Sequence, residues 1–448
     1  MKYKLLSLFL FFPAKLLCQS VVFEDARFII GDGSVLENAS ILVQEGKIAA
    51  LGPRDQIVAD SATRISMSGK TIMPAMIDAH AHLGFQDRVD WGAENYTLEN
   101  LIENLERYAW YGFSAVFSAG SDPAPIMEEL KAQENERKFL GARPLYAIGI
   151  APPNEGPNNL FLDEVHDVES RFDSQILYGV SDADKGIEIV RQLAATGTQF
   201  IKLWVDDRGG SQVKLSPEVY RAITNEAKDR SVDVFVHQQS ASDMQDLIEA
   251  GVAGFLHGRF DSEFDLRLSD LLASSGVFVV PNLGLGELRG EAIGEDNFLK
   301  ATLPAVTAHR VGNTNENRSL QRQGSAIDER VLSDRFMTAV NSGVSFVLGT
   351  DAGAVPDHFF GYTGHRELQI YVRLGMTPMQ ALMSATSVAA RYLKLNDSGL
   401  LRVGYRADLL VLNTNPLEDI RSTEDIHSVY IRGERVDRES LSVSWREE

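Results

Sequence analysis

The stretch that decides the fold is TIMPAMIDAHAHLG, residues 71–84, an apolar run that ends in His80 and His82. In a β-strand, side chains two residues apart point to the same face with Cα atoms roughly 6–7 Å apart, so both imidazoles could converge on one ion. Taken alone, the pair suits equally well one packed and one solvated histidine. The choice between these interpretations depends on whether other strands carry further ligand-type residues.

Seven more short apolar runs follow, and most are separated by helical patterns. Two of these patterns, SPEVYRAITNEAKDRS and SASDMQDLIEAG, open with a serine suited to capping a helix. With TIMPAMIDAH the chain has eight strands, and this alternation predicts an α/β fold, a TIM-type (β/α)8 barrel over residues 73–399. Residues 285–335 exceed one crossover and should carry extra helices. The seven runs are FSAVFSAG, PLYAIGI, QFIKLWV, VDVFVH, AGFLH, VFVVPNL and VSFVLGT.

Both flanks of the barrel region have a β-rich pattern. Residues 21–72 contain ARFIIGDGSVLENASILVQEGKIAALG, and residues 400–440 contain GYRADLLVLNTNPLEDIRSTEDIHSVYIRGERV, with short β-branched runs separated by turn residues. The later segment should hold strands at 407–412 and 428–432. We predict a small β-sandwich domain built from both chain ends.

Residues 1–20, MKYKLLSLFLFFPAKLLCQS, have the layout of a secretory signal peptide: early lysines, an apolar run too short to span a bilayer, and a short polar end. We expect this segment to be removed and the protein to be exported, to the periplasm or outside the cell. Lipid attachment at Cys18 is disfavoured because Leu17 precedes it, where a small residue is expected.

The chain is acidic, with a formal net charge of -20. A field of this sign repels nucleic acids and anionic membrane surfaces, so neither is expected as a partner, and no stable membrane insertion is expected. We expect a small-molecule substrate. The sequence leaves a homo-oligomer open.

Ligand-type side chains lie in or directly after five of the predicted strands. Because the carboxyl ends of barrel strands meet on one face, these side chains should converge. Imidazole and carboxylate groups suit zinc or a similar divalent ion. A lysine among them could lose its proton by burial and add CO₂, which gives an anionic carbamate; the alternative is a salt bridge to the aspartate. The residues are His80, His82, Lys202, His237, His257 and Asp351.

These motifs resemble the amidohydrolase superfamily, and most closely its binuclear members with a carboxylated lysine, the prolidase-like and dipeptidase-like enzymes. The first-strand His-x-His motif, the bridging lysine, the fifth- and sixth-strand histidines and the strand-eight aspartate all have counterparts here. GHRELQIYVRLGMTPMQALMSATSVAARYL also resembles the closing helices of that family. The resemblance implies two divalent metal ions, with Zn²⁺ expected, and a carboxylated Lys202.

The expected reaction is hydrolysis of an amide bond, in a dipeptide or an N-acyl amino acid. Two ions would acidify a bridging water, which attacks the carbonyl, while Asp351 acts as general base and then acid. A lactonase, a phosphotriesterase-like enzyme or a cyclic-amide hydrolase could use the same ligands. A deaminase is disfavoured because HQQSASDMQD has no glutamate after His237. A non-catalytic binding homologue is disfavoured because every ligand position is filled.

Three residues are candidates for substrate contact. Arg259, two residues beyond His257, could pair with a substrate carboxylate, although a salt bridge to Asp261 or Asp265 is an equal alternative. His358 and His365 follow Asp351 in the eighth loop, where substrate contacts are expected; the alternative is a helix cap or a surface group. The run VDDRGG, residues 205–210, suits either a loop near the metals or a simple turn.

Overall fold

The computed structural model describes residues 20–238, 240–258, 260–288, 293–313 and 328–447. Eight parallel strands form a barrel, as predicted. The eighth strand returns to the first, where Ala79 N donates to Leu348 O at 2.9 Å and His82 N donates to Ala352 O at 2.7 Å. The strands are Met76–Ala81, Phe113–Ser118, Arg143–Tyr146 continued by Ile148–Ala151, Phe200–Val205, Asp233–Gln238, Gly254–Leu256, Phe278–Val280 and Ser345–Phe346.

The third strand is interrupted at Ala147, and its two halves pair with different neighbours. Arg143–Tyr146 pairs with the second strand, and Ile148–Ala151 pairs with the fourth. A three-residue strand, Leu177–Gly179, adds to the outer side of this second half, and it was not among the predicted runs. The interruption allows the barrel to turn while keeping its hydrogen bonds.

The stretch 71–84 is divided between the two domains, so the prediction of one continuous barrel strand is wrong in its first half. Thr71–Pro74 pairs with Val21–Ile29 and Leu409–Leu412 in the terminal sheet, and only Met76–Ala81 enters the barrel. The change of sheet occurs at Ala75, whose N–H donates to Asp408 O at 2.9 Å. Pro74 has no N–H for a ladder bond.

Strands from both chain ends form one eight-stranded, mainly antiparallel sheet that builds the small β-sandwich domain. Its core includes the fully buried side chains of Phe28, Ile41, Ile72 and Leu409. The strands are Val21–Ile29, Val35–Gln44, Lys47–Pro53, Thr63–Ser66, Thr71–Pro74, Leu409–Leu412, Ile426–Ile431 and Glu434–Arg435.

A buried ion network joins the barrel to the sandwich. Glu134 lies in a barrel helix, and its Oε1 is 3.1 Å from Arg406 Nη2 and 3.4 Å from Arg432 Nη1. Asp408 completes the network, 2.9 Å from Arg406 Nε. Its charges are almost fully removed from water, so the pairing of each is required for stability.

Helices surround the barrel, and none in the described ranges is long and apolar enough to cross a membrane. Ser216 caps its helix by accepting from Val219 N at 3.4 Å. Ser240 stands at the next cap position without such a bond; Asp261 accepts from Ala241 N at 3.1 Å instead. The helices are Leu98–Trp110, Ala124–Asn135, Asn159–Phe172, Ala183–Ala195, Pro217–Asp229, Ala241–Ala250, Leu266–Ser275, Leu283–Leu288, Asn297–Lys300, Ala305–Asn313, Glu329–Ser342, Tyr362–Arg373, Pro378–Ser384, Ser387–Tyr392 and Arg438–Arg446.

A layer of phenylalanines fills the barrel interior. Phe117, Phe200, Phe235 and Phe278 are buried. The rings of Phe117 and Phe200 meet edge to face with centroids 5.3 Å apart, as do those of Phe235 and Phe278 at 4.9 Å. Phe200 and Phe235 precede two predicted ligands by two residues, so this layer lies one pleat below those ligands. It forms an apolar floor under the polar strand ends.

Candidate active site and metal centre

The six predicted ligands converge at the carboxyl ends of the first, fourth, fifth, sixth and eighth strands. Five of them line one cavity of about 350 Å³, and the sixth, His80, is fully buried beside them. The ring centroids of His80 and His257 are 4.9 Å apart, and those of His237 and His257 are 4.6 Å apart. Residues distant in sequence are thus in contact because parallel strands end on the same face.

Asp351 lies at the centre of the histidines. Its Oδ1 is 3.2 Å from Nε2 of both His80 and His82, and its Oδ2 is 3.9 Å from His257 Nε2. One ligand atom each from His80, His257 and Asp351 lie within 4.8 Å of one another. Nitrogen and carboxylate donors at this spacing are suited to a divalent cation.

Hydrogen bonds behind the imidazoles fix which nitrogen faces the site. His80 Nδ1–H donates to Asn282 Oδ1 at 2.9 Å, and His82 Nδ1 bonds the Ser121 hydroxyl at 2.7 Å. Asn282 is itself anchored, because its amide donates to Gly349 O at 2.9 Å. His80 Nε2 is buried and has no hydrogen-bond partner among the described residues. An available buried nitrogen beside a carboxylate fits a bound metal ion.

Three non-glycine residues at the strand ends have left-handed backbone conformations. The φ angles are 92° at His257, 51° at Asn282 and 63° at Asp351. Such conformations cost of order 1–3 kcal/mol each and persist where the surroundings enforce them. The backbone conformation of Asp351 is held by its N–H, which donates to His80 O at 2.6 Å.

The protonation states of the site residues are those of metal ligands. Burial lowers the pKa of His80 and His237 well below the usual range, so these imidazoles are neutral. Burial alone would raise the pKa of Asp351, but the hydrogen bond from His82 and the imidazoles packed around the carboxyl hold this pKa well below its usual value, so the group is a carboxylate. Neutral imidazoles and an ionised carboxyl are the forms that bind metals.

Lys202 is 1% exposed, and burial lowers its pKa to about 7; the charge of Asp351 raises this pKa and that of Arg208 lowers it, and neither outweighs burial. In the described part of the chain it makes no ion pair with Asp351, whose carboxylate faces His80 and His82 instead. The alternative of a simple salt bridge is therefore not what the structure contains. Gly120, with φ at 88°, allows this packing, because a Cβ there would lie 2.8 Å from Lys202 Cβ.

The loop VDDRGG reaches the cavity, so of its two interpretations the structure favours the loop beside the ligands. Arg208 lines the cavity, and Asp206 Oδ2 is 3.2 Å from His237 Nε2. Sequence reasoning assigned no role to Asp206, Arg208, Ser121 or Asn282. Only Asn282 had a usable signal, because it closes the apolar run of the seventh strand as Asp351 closes the eighth.

Much of the remaining cavity wall is apolar. The side chain of Leu160 is 56% exposed at the mouth, whereas Phe161 and Trp204 are buried deeper in the wall. Leu285 and Val355 complete this surface. The cavity therefore presents polar groups at its base and hydrocarbon along its sides.

Two expected substrate contacts are corrected by the structure. His358 does not line the cavity; its Nε2–H donates to Thr350 O at 2.8 Å in a buried setting. His365 hydrogen-bonds Tyr111 O through Nε2 at 2.8 Å and Thr423 Oγ1 through Nδ1 at 3.0 Å, so both ring nitrogens serve packing. Arg259 lies outside the described residues.

Comparisons with known proteins identify the family of the chain and proteins that are similar to it. The model of the Amidohydrolase family matches residues 71–436. Ochratoxinase from Aspergillus niger is 24% identical over 440 residues, covering 90% of this chain and 82% of that protein. Imidazolonepropionase from Deinococcus radiodurans is 24% identical over 425 residues, covering 90% and 93%. The crystal structure of a Xaa-Pro dipeptidase with bound methionine shares the fold, with a TM-score of 0.70 at 24% identity, covering 93% of this chain and 99% of that one.

Proposed function

The chain belongs to the amidohydrolase family, and from that premise we propose that it cleaves the amide bond of a dipeptide or an N-acyl amino acid. Membership makes the protein a hydrolase of carbon–nitrogen bonds, as the sequence predicted. The observation that carries the proposal is the convergence of six ligand-type side chains, five of which line one small cavity while His80 is buried beside them.

We assign two divalent ions, with Zn²⁺ expected, to these six residues. When bound, such ions would polarise a scissile carbonyl and increase the acidity of a water molecule. Lys202 would join the ligands as a carbamate: its neutral Nζ attacks the carbon of CO₂, a proton leaves the nitrogen, and the new carboxylate oxygens carry the negative charge. The residues are His80, His82, Lys202, His237, His257 and Asp351.

Asp351 is the proposed proton carrier. Its carboxylate is ionised and central, so it can accept a proton from the attacking water and deliver it to the leaving nitrogen. Asn282 and Ser121 keep the imidazoles oriented through Nδ1. The apolar walls around Phe161 and Trp204 limit water around the reacting carbonyl.

The cavity supports a small substrate. A volume of about 350 Å³ is near the lower end for small-molecule sites, enough for a short peptide-like molecule and too small for a long peptide. Its polar base and hydrocarbon sides suit a carbonyl that carries an apolar substituent. Similarity to a Xaa-Pro dipeptidase structure supports a substrate of this kind.

The test combines metal content with a substrate panel. Purified protein should contain close to two divalent ions per chain, lose activity on chelation and regain it when Zn²⁺ is restored. The panel contains dipeptides, N-acyl amino acids, lactones and a phosphotriester. Activity confined to lactones or the phosphotriester would overturn the amide assignment, and one ion or none in fully active protein would overturn the two-ion assignment.

A further inference from the structure

Arg208 is a cation at the wall of the cavity that holds the ligand residues. The described lining contains two cationic side chains, Lys202 and Arg208, and the proposed function uses Lys202 as a ligand. We infer that Arg208 forms a carboxylate-binding subsite, which holds the free carboxylate of the substrate beside its scissile amide. This inference rests on the proposed function and adds the substrate's charge to it.

The guanidinium is fixed on two sides. Its Nη1 is 3.1 Å from Asp206 Oδ2, and its Nη2 donates to Gly156 O at 3.2 Å. The backbone is braced as well, because Arg208 N donates to Asp206 Oδ1 at 2.9 Å. A guanidinium has five N–H donors, so these two side-chain contacts leave donors for a ligand.

One of the remaining donors is buried without a partner. The Arg208 side chain is only 18% exposed, so water cannot readily replace a missing partner. Its Nε nevertheless has no hydrogen-bond partner among the described residues. A buried donor without an acceptor is destabilising, and a ligand oxygen would remove that cost. Nε and Nη2 form the fork that matches the two oxygens of a carboxylate, which a point charge such as lysine does not reproduce.

The cavity also indicates what the carboxylate is attached to. The cavity that contains Arg208 and the ligand residues is also lined by the apolar side chains of Leu160, Phe161, Trp204, Leu285 and Val355. An apolar side chain of the substrate would lie against these residues. The substrate class is therefore an amino acid with an apolar side chain, acylated at its nitrogen and free at its carboxylate.

The inference is tested with two probes that differ only in the carboxylate, N-acetyl-L-leucine and N-(3-methylbutyl)acetamide. In the metal-loaded enzyme, Arg208→Met should lower kcat/KM for the acid roughly 10- to 100-fold, as expected for loss of a charge-assisted bond. For the neutral amide, kcat/KM should fall less than about threefold. For the acid, kcat/KM of Arg208→Lys should lie between the values of wild type and Arg208→Met, because lysine keeps the positive charge but lacks the paired donors of the guanidinium.

If Arg208 had a purely structural role, Arg208→Met would lower kcat/KM equally for both probes, and that result would overturn the inference. Arg191→Met is the matched control: Arg191 pairs with Glu226 at 2.9 Å on the outer surface and should leave both rates unchanged. Elemental analysis should give the same metal content in wild type and Arg208→Met. A lower content in Arg208→Met would likewise indicate a structural role and overturn the inference.

Binding without catalysis separates this inference from the proposed function. Calorimetry with the metal-loaded protein should show binding of L-leucine, which carries the same carboxylate and has no amide to cleave, to wild type and at least about tenfold weaker binding to Arg208→Met. If the enzyme cleaves no amide but this difference is found, the proposed function fails and the carboxylate subsite stands. Absent binding to wild type, or equal binding to both proteins, would overturn the subsite.

Discussion

The hydrogen bond between Asn282 and His80 offers a direct test of how the ligands are positioned. Asn282→Ala removes the acceptor 2.9 Å from His80 Nδ1 and the donor to Gly349 O. Loss of such a partner typically weakens metal binding 10- to 100-fold, which corresponds to about 1.4–2.7 kcal/mol. We expect the dissociation constant for Zn²⁺ to rise by that factor in competition with a chromophoric chelator. Activity should fall at limiting metal and recover at excess metal.

The backbone of Asn282 requires a control, because alanine is strained at its φ of 51°. Asn38→Ala carries the same strain at φ 50° on the exposed surface of the sandwich, and it should leave metal affinity unchanged. Asn282→Gly should weaken metal binding as alanine does, whereas Asn282→Asp keeps the acceptor for His80 but loses the donor to Gly349 O, and should weaken metal binding less than alanine. Normal Zn²⁺ binding by the alanine variant, or an aspartate variant as weak as alanine, would refute the role of Asn282 in positioning His80.

Lys202→Ala should lower the metal content below two ions per chain and abolish most activity, and added acetate should restore part of both by supplying the missing anionic ligand; wild-type metal content and rate would contradict the carbamate. Glu134→Gln should lower the free energy of unfolding by about 3 kcal/mol, because two buried arginines lose their shared partner. Glu128→Gln on the same helix, whose side chain is 58% exposed, should cost less than about 1 kcal/mol; equal urea midpoints for these two variants would argue against the buried network. Burial holds the pKa of His365 at about 4, below its ordinary 6.5, so as the pH falls from 6.5 to 4 the unfolded chain binds a proton that the folded protein excludes. The free energy of unfolding should therefore fall by up to about 3 kcal/mol across that window, and an unchanged slope in His365→Gln would rule out this histidine as the source. The mature protein should begin after the first twenty or so residues and lie outside the cytoplasm, and N-terminal sequencing of native protein that recovers the initiating methionine would contradict export.

The position of the candidate ligands could be predicted from sequence because a parallel barrel converts strand ends into one ring. Lys202 and His237 each lie two residues after a phenylalanine of the floor, and the fourth and fifth strands pair in register, with Lys202 beside Phe235 and Trp204 beside His237. Strand period and strand count therefore fix which side chains meet, without knowledge of any loop. Asn282 obeys the same rule and was missed only because an amide is not a usual ligand.

Loop and helix side chains did not follow from such a rule. The direction of the Arg208 guanidinium depends on Asp206 nearby and on the carbonyl of Gly156, which is 52 residues away in the chain. His365 lies on the buried face of a helix, where its two ring nitrogens meet Tyr111 and Thr423. The sequence does not distinguish a histidine after the eighth strand that lines a cavity from one that hydrogen-bonds a backbone carbonyl. Only tertiary packing separates these cases.

The position of features that raise the free energy of the folded chain also argues for binding at this site. Left-handed backbone at His257, Asn282 and Asp351, a nitrogen of His80 without a hydrogen bond among the described residues, and the buried amine of Lys202 each raise the free energy of the folded chain. The phenylalanine floor beneath them is packed without any of these features. The barrel therefore does not need this set of residues in order to fold. These residues lie in or beside one cavity, and a divalent cation is the ligand that their imidazole nitrogens and carboxylate select.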